Sequence, residues 1–201
     1  VILNKGCHVS IAIIDCGGSN LRSVQHAFQL KGYEANVTTE KTQIGKASHV
    51  VIPGVGSAGK VMNALDSLKL TSLIKELRQP VLGICIGMQI FYEYSQEQKT
   101  KCLGIIQGEI KKLPIEQGIK IPQMGWNEVV FDQNALSNLN NYYYFANSYY
   151  AEGSLETAAV TNYKVTMSSV VIKNNFIGCQ FHPEKSSVAG EQFLDYFLGL
   201  K

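Results

Sequence analysis

Cys85 stands between two glycines in Gly83-Ile84-Cys85-Ile86-Gly87, inside the apolar run PVLGICIGMQ of residues 80 to 89. A cysteine within a strand is ordinarily a small apolar core residue. That reading leaves the flanking glycines without a purpose. Gly-x-Cys-x-Gly also has the shape of the nucleophile elbow known with serine, a sharp strand-to-helix turn where glycines relieve the crowding around a strained nucleophile. The N-terminus of the following helix would favour the thiolate and offer backbone N–H groups to an oxyanion.

A thiol nucleophile needs a base. His8 sits near the terminus, His26 within a helical pattern and His49 just before a strand, whereas His182 lies in Gln180-Phe181-His182-Pro183-Glu184, at the end of a late β-segment. In extended chain, residues i and i+2 face the same side, so Glu184 is placed to orient the imidazole and stabilise its charged form. Cys85, His182 and Glu184 would then supply nucleophile, base and orienter. Taken alone, a packed cysteine and a surface His-Pro-Glu turn are the competing interpretations. A third piece is Pro53-Gly54-Val55-Gly56, which follows the strand HVVI. Its glycines are either turn punctuation or the means of turning an N–H toward a substrate carbonyl opposite Cys85.

The elements that must position these groups follow from the apolar pattern. Residues 9 to 15 read as a strand, Gly17-Gly18 as a turn, and Ser19-Asn20 as the cap of a helix carrying Leu21, Val24, Ala27 and Phe28. The unit repeats as a strand at 49 to 54 with a helix over about 60 to 78, then a strand at 80 to 85 with a helix over about 86 to 95. Segments 142 to 150, 157 to 163, 165 to 173 and 175 to 183 are β-rich, and a helix over 190 to 200 closes the chain. The expected fold is α/β, an open mixed, largely parallel sheet with helices on both faces, in one domain over residues 1–201. In such sheets ligands bind beyond the carboxyl ends of the strands, which is where Cys85 falls.

With 201 residues, 45% hydrophobic, the chain is long enough to bury a sizeable core. The net charge is +2 and no basic cluster exceeds Lys111-Lys112, so neither nucleic acid nor an anionic membrane is an expected partner. Five cysteines at 7, 16, 85, 102 and 179 form no CxxC pair and no metal-like spacing with the histidines. A reducing, cytoplasmic setting without metal or cofactor is expected. No signal-peptide pattern and no apolar run of spanning length is present in the sequence.

Together the residues resemble the class I glutamine amidotransferases, and within them the glutaminase subunits of imidazole glycerol phosphate synthase. The segments that carry the resemblance are IIDCGGSNLRSV (13 to 24), IPGVG (52 to 56), PVLGICIGMQ (80 to 89), LGII (103 to 106), KIPQMGWNEV (120 to 129), YFANSYY (144 to 150) and QFHPEKSS (180 to 187). The resemblance implies a flavodoxin-like fold and hydrolysis of L-glutamine to glutamate and ammonia through a thioester on Cys85. Gly54, Val55, Gly56 and Ile86 would hold the oxyanion, and His182 would protonate the departing ammonia. Gln89 would bind glutamine, Glu97 would pair with its α-amino group, and Ser148 and Tyr149 would contact its carboxylate end. Trp126 and Lys185 would face a cyclase subunit of histidine biosynthesis, the partner in a heterodimer that receives the ammonia. Glycines on both sides of Val55 make a peptide flip there cheap, so the loop would serve as an activity switch.

Family members often have His where this chain has Gln123 and Asn147, and the first turn, Cys16 to Asn20, is unusual. These departures fall in segments expected to lie toward the partner. A paralogue supplying ammonia to a surface-polysaccharide sugar-modifying synthase, a non-catalytic interaction module and a cysteine peptidase are the rival readings. Cys85, His182 and Glu184 together argue against decay, and GMQ and MGWN have no role in a peptidase.

Overall fold

The computed structural model describes residues 9–17, 20–54, 56–115, 120–132 and 134–201. The first half alternates strand and helix: β1 (Ser10–Ile14), α1 (Leu21–Leu30), β2 (Glu34–Thr38), α2 (Lys41–Lys46), β3 (His49–Ile52), α3 (Ala58–Ser67), α4 (Thr71–Glu76), β4 (Val81–Ile84) and α5 (Ile86–Gln89). Strands dominate the remainder: β5 (Tyr94–Ser95), β6 (Thr100–Lys101), β7 (Glu109–Lys112), β8 (Gln123–Phe131), β9 (Asn141–Asn147), β10 (Tyr149–Ala151), β11 (Thr157–Tyr163), β12 (Val165–Lys173) and β13 (Phe176–Cys179), followed by α6 (Ser187–Leu198).

Nine strands form one sheet in the order β2-β1-β3-β4-β13-β12-β11-β8-β9, and a four-stranded sheet runs β10-β7-β5-β6. In the large sheet the pairings from β2 across to β13 are parallel. From β13 outward they are antiparallel. The antiparallel half is larger than the sequence pattern suggested, because the segment holding MGWN is itself the nine-residue strand β8. Strands β3, β4 and β13 are buried at every residue, as a parallel sheet covered on both faces requires.

Two expected helices come out shorter. The stretch at 60 to 78 divides into α3 and α4 at Lys69, whose φ of 55° no α-helix accommodates. The helix after Cys85 is a single turn. The carbonyls that would continue it are taken by the returning LGII segment, with Leu103 N–H on the Ile90 carbonyl at 2.9 Å and Ile105 and Ile106 N–H on that of Phe91 at 2.8 Å.

Register brings three strand ends together. Ile52 lies opposite Gly83, Ile84 lies opposite Cys179, and the N–H of Cys85 reaches the Cys179 carbonyl at 2.7 Å. The space between them excludes side chains. A Cβ on Gly54 would fall 2.2 Å from the Ile84 carbonyl oxygen and 2.3 Å from the Ile86 nitrogen, and one on Gly87 would fall 2.0 Å from the Ile52 carbonyl oxygen. All of those contacts are backbone, so none moves without moving the sheet.

Gly87→Ala should therefore destabilise the protein by at least about 1–3 kcal/mol, the usual cost of overpacking. Gly45→Ala, in α2 with open space around its Cβ, should stabilise by about 0.5–1 kcal/mol. Urea unfolding midpoints of the two variants decide it. Equal midpoints would mean that the elbow tolerates a methyl group.

Candidate active site

Cys85 sits at the end of β4 with φ 53° and ψ −109°, a backbone conformation rarely held by a residue with a side chain and typical of functional turns. Its side chain is buried, with Sγ 3.5 Å from Gln180 Nε2 and 3.9 Å from the Ala146 carbonyl oxygen. Ile86 opens α5, so its N–H is among the first-turn donors that have no acceptor within the helix. Gly54 is packed against that N–H, and Gly56 adopts a left-handed φ of 90°. Val55, the middle of the expected oxyanion loop, lies outside the described residues.

His182 follows β13 in extended conformation, but Glu184 reaches it from a 3-10 turn, Pro183–Lys185, and not from a continued strand. Nδ1 of His182 and Oε1 of Glu184 are 2.8 Å apart, which leaves Nε2 as the face toward Cys85. Burial alone would lower the imidazole. The Cys85 side chain, the hydrogen bond to Glu184 and the negative charge of both groups outweigh it and carry the pKa up to about 10. The backbone around the histidine is clamped: its N–H bonds the Tyr144 carbonyl at 2.8 Å, and Ser186 Oγ bonds its carbonyl at 2.7 Å while accepting the Tyr144 N–H at 2.9 Å. Phe181, one residue before, stacks on Tyr143 at 4.1 Å and meets Phe193 of α6 edge-on at 5.1 Å.

Two residues complete the site that the sequence pattern did not single out for it. Asn20, expected as a helix cap, makes no capping bond; its side-chain amide donates to Glu184 Oε1, so the first turn holds the orienting carboxylate. Gln180, two residues before His182, is fully buried beside Cys85. The signal for it was available: Gln180, His182 and Glu184 alternate, and a buried glutamine needs partners.

The remaining expected residues are placed as follows. Gln89 is buried, its Nε2 donating to the Tyr149 carbonyl at 3.0 Å and to Gln180 Oε1 at 2.9 Å, so only its oxygen is left for a substrate. Glu97 uses Oε2 to accept the Ala58 N–H at 2.7 Å at the start of α3, leaving Oε1 for another partner. Ser148 and Tyr149 are half-buried, and their carbonyls accept the Leu113 N–H and the Gln89 amide. Trp126 is 50% exposed on β8, edge-on to Tyr144, with Met124 and Tyr142 exposed beside it. Lys185 is exposed in the turn that carries Glu184. Gln123 and Asn147 do not lie on that outer face. They are register partners on β8 and β9, both buried, and Asn147 Nδ2 donates to the same Tyr149 carbonyl as Gln89. The alternation of each strand turns them inward while Met124 and Trp126 point out.

A strained thiol beside a buried histidine–carboxylate pair, at the carboxyl ends of a mixed α/β sheet, is an arrangement chemically able to carry out acyl transfer through a cysteine nucleophile. Residues 12–198 match the family described as glutamine amidotransferase class-I, and the chain belongs to that family. It is 39% identical over 194 residues to imidazole glycerol phosphate synthase subunit HisH of Haemophilus influenzae, covering 94% of this chain and 97% of that protein. It is 41% identical over 196 residues to the protein of the same name from Bacteroides fragilis, covering 96% and 100%. Among solved structures it resembles a crystal structure of a glutamine amidotransferase with TM-score 0.74 at 13% identity, covering 94% of this chain and 96% of that one. PurLQS from Thermotoga maritima superposes with TM-score 0.72 at 16% identity, covering 96% and 98%; both likenesses show the fold.

The histidine gives a pH test. Its pKa is raised from 6.5 to about 10, so the stability it contributes is complete below pH 6.5 and is lost as pH climbs through 10. The gap between the urea midpoints of the natural protein and His182→Gln should be widest near pH 6 and close by about pH 10. A gap that stays constant across that range would remove the charged histidine from the folded state. The other described cysteines give a second test. Burial, aided by Asp15 and by Glu97, pushes the Cys16 and Cys102 thiols up to about 12, and burial with the nearby Glu184 and Cys85 pushes Cys179 well above its usual range. A glutamine-derived electrophile should label Cys85 and spare these three, as read by peptide mass mapping; equal labelling of Cys102 or Cys179 would count against the elbow.

Proposed function

We propose that this chain is the glutaminase subunit of an imidazole glycerol phosphate synthase, hydrolysing L-glutamine and passing the ammonia to a cyclase subunit. The observation that carries this reading is the Cys85–His182–Glu184 constellation in a chain about two-fifths identical, over nearly its whole length, to relatives of that name. Cys85 Sγ attacks the side-chain amide carbon of glutamine, and the oxyanion forms against the Ile86 N–H and the Gly54–Gly56 loop. The tetrahedral intermediate collapses, the C–N bond breaks, and His182 delivers a proton so that ammonia leaves and a thioester remains. Water, losing its proton to His182, then attacks the thioester and releases glutamate and the free thiol.

Glutamine would be met by the Gln89 oxygen, by Glu97 Oε1 at its α-amino group, and by the Ser148–Tyr149 segment at its carboxylate. The partner would dock on the face that exposes Met124, Trp126 and Tyr142, with Lys185 at its margin. One glutaminase domain, in the cytoplasm, fits this assignment. The free cysteines among the described residues agree with a reducing compartment, and no described helix is long and apolar enough to cross a membrane.

Glutamate release is to be measured with the chain alone, with a histidine-pathway cyclase, and with that cyclase and its substrate nucleotide. The loaded cyclase should stimulate turnover about 100- to 1,000-fold, the worth of one oxyanion donor brought into place. Cys85→Ala should abolish product formation from glutamine while ammonium salt still supports the cyclase. High turnover by the chain alone, unchanged by the loaded cyclase, would overturn the assignment. Stimulation only by a sugar-modifying synthase would move the protein to that pathway.

A further inference from the structure

We propose that Gln180 is a positioning residue for this reaction, its side-chain amide tying the sulfur of Cys85 to Gln89 in one hydrogen-bonded bridge. The geometry fixes which way every amide points. The Tyr149 carbonyl can only accept, so the group that Gln89 places 3.0 Å from it is the NH₂. The second hydrogen of that NH₂ goes to Gln180 at 2.9 Å, so the Gln180 atom there is its oxygen. The other end of Gln180, 3.5 Å from Cys85 Sγ, is therefore a donor. A neutral donor aimed at sulfur holds it in place and steadies the electron density it presents to an electrophile, without a charge that would compete with His182.

The bridge is rigid at both ends. Gln180 is fully buried and its backbone N–H bonds the Ser169 carbonyl at 2.9 Å. Phe181 next to it is held in the aromatic stack with Tyr143 and Phe193. Cys85 is tied by its own N–H to the Cys179 carbonyl. Because both hydrogens of the Gln89 amide are consumed, Gln89 offers a substrate an acceptor alone, and Gln180 is one of the two groups that enforce this. One side chain thus sets the direction of the nucleophile and the polarity of a substrate contact. The inference rests on the glutaminase reading of the site, but its first readout does not.

The test uses Gln180→Met, which keeps the bulk and removes both amide groups, and Gln180→Glu, which keeps the acceptor toward Gln89 and replaces the donor toward sulfur. Alkylation of Cys85 by iodoacetamide at fixed pH is measured first, then kcat and KM for glutamine in the complex with the loaded cyclase. Alkylation in Gln180→Met should slow about tenfold, kcat should fall about 10- to 100-fold, and KM should rise as Gln89 is released. Gln180→Glu should slow alkylation and lower kcat at least as far while holding KM nearer the natural value. A folded Gln180→Met with natural alkylation and kcat would show that the amide only fills space and would overturn the proposal. If that variant does not fold, natural alkylation in Gln180→Glu overturns it equally. If the natural complex releases no glutamate, the glutaminase reading fails while alkylation still decides the role of Gln180.

Discussion

The site depends on a steric constraint: the ends of β3 and β4 and the first turn of α5 meet where there is no room for a Cβ. Gly54, Gly83 and Gly87 let the chain after β3, the end of β4 and the first turn of α5 touch backbone to backbone. Only in that setting is Cys85 held at a positive φ, a strain on the order of 1–3 kcal/mol that surrounding structure must over-determine. The surrounding structure is the most buried part of the sheet, β3, β4 and β13, where every residue is covered. Cys85 is therefore positioned by the parallel sheet itself. A loop carrying the same five residues would relax to an ordinary φ and lose both the fixed direction of the sulfur and the N–H groups behind it.

Charge is the second problem the fold solves, because a buried carboxylate costs several kcal/mol unless it is paired. Glu184 is almost wholly covered, and its Oε1 receives both the His182 imidazole and the Asn20 amide, while Oε2 has no partner among the described residues. The imidazole supplies compensating charge, and the Cys85 side chain together with Glu184 outweighs the burial of the ring and raises its pKa. In the proposed reaction such a histidine would act first as an acid and as a base only after its proton is spent.

Much of this was legible in the sequence. The elbow showed because glycines at fixed distances from a cysteine are hard to explain otherwise, and the late His-Pro-Glu showed because it ends an apolar β-segment. Parallel strands showed as unbroken apolar runs. The lengths of α5 and of the helix before β4 did not show, because a returning segment captured the carbonyls of the one and Lys69 broke the other. Asn20 looked like a cap because local pattern cannot reveal a partner 164 residues away. The inward direction of Gln123 and Asn147, in segments that expose Met124 and Trp126, did not show, because the strand register that fixes which alternate residues face inward is set by pairing across β8 and β9.

That alternation also links the outer face to His182. Met124 and Trp126 point outward from β8, and Trp126 meets Tyr144 of β9 edge-on with ring centroids 6.2 Å apart. The backbone carbonyl of the same Tyr144 holds the N–H of His182, and its N–H is held by Ser186, which in turn bonds the His182 carbonyl. One residue therefore separates an exposed aromatic surface from the clamp that sets the imidazole. Of the inward residues of the same strands, Asn147 donates to the Tyr149 carbonyl, which also receives the Gln89 amide of the Gln89–Gln180 bridge. A body seated on the outer face would press on β8 and β9 as a pair. Such a displacement would be transmitted to the base through Tyr144 and to the nucleophile through the amide bridge, because both are fastened to β9 or to the residues that continue it.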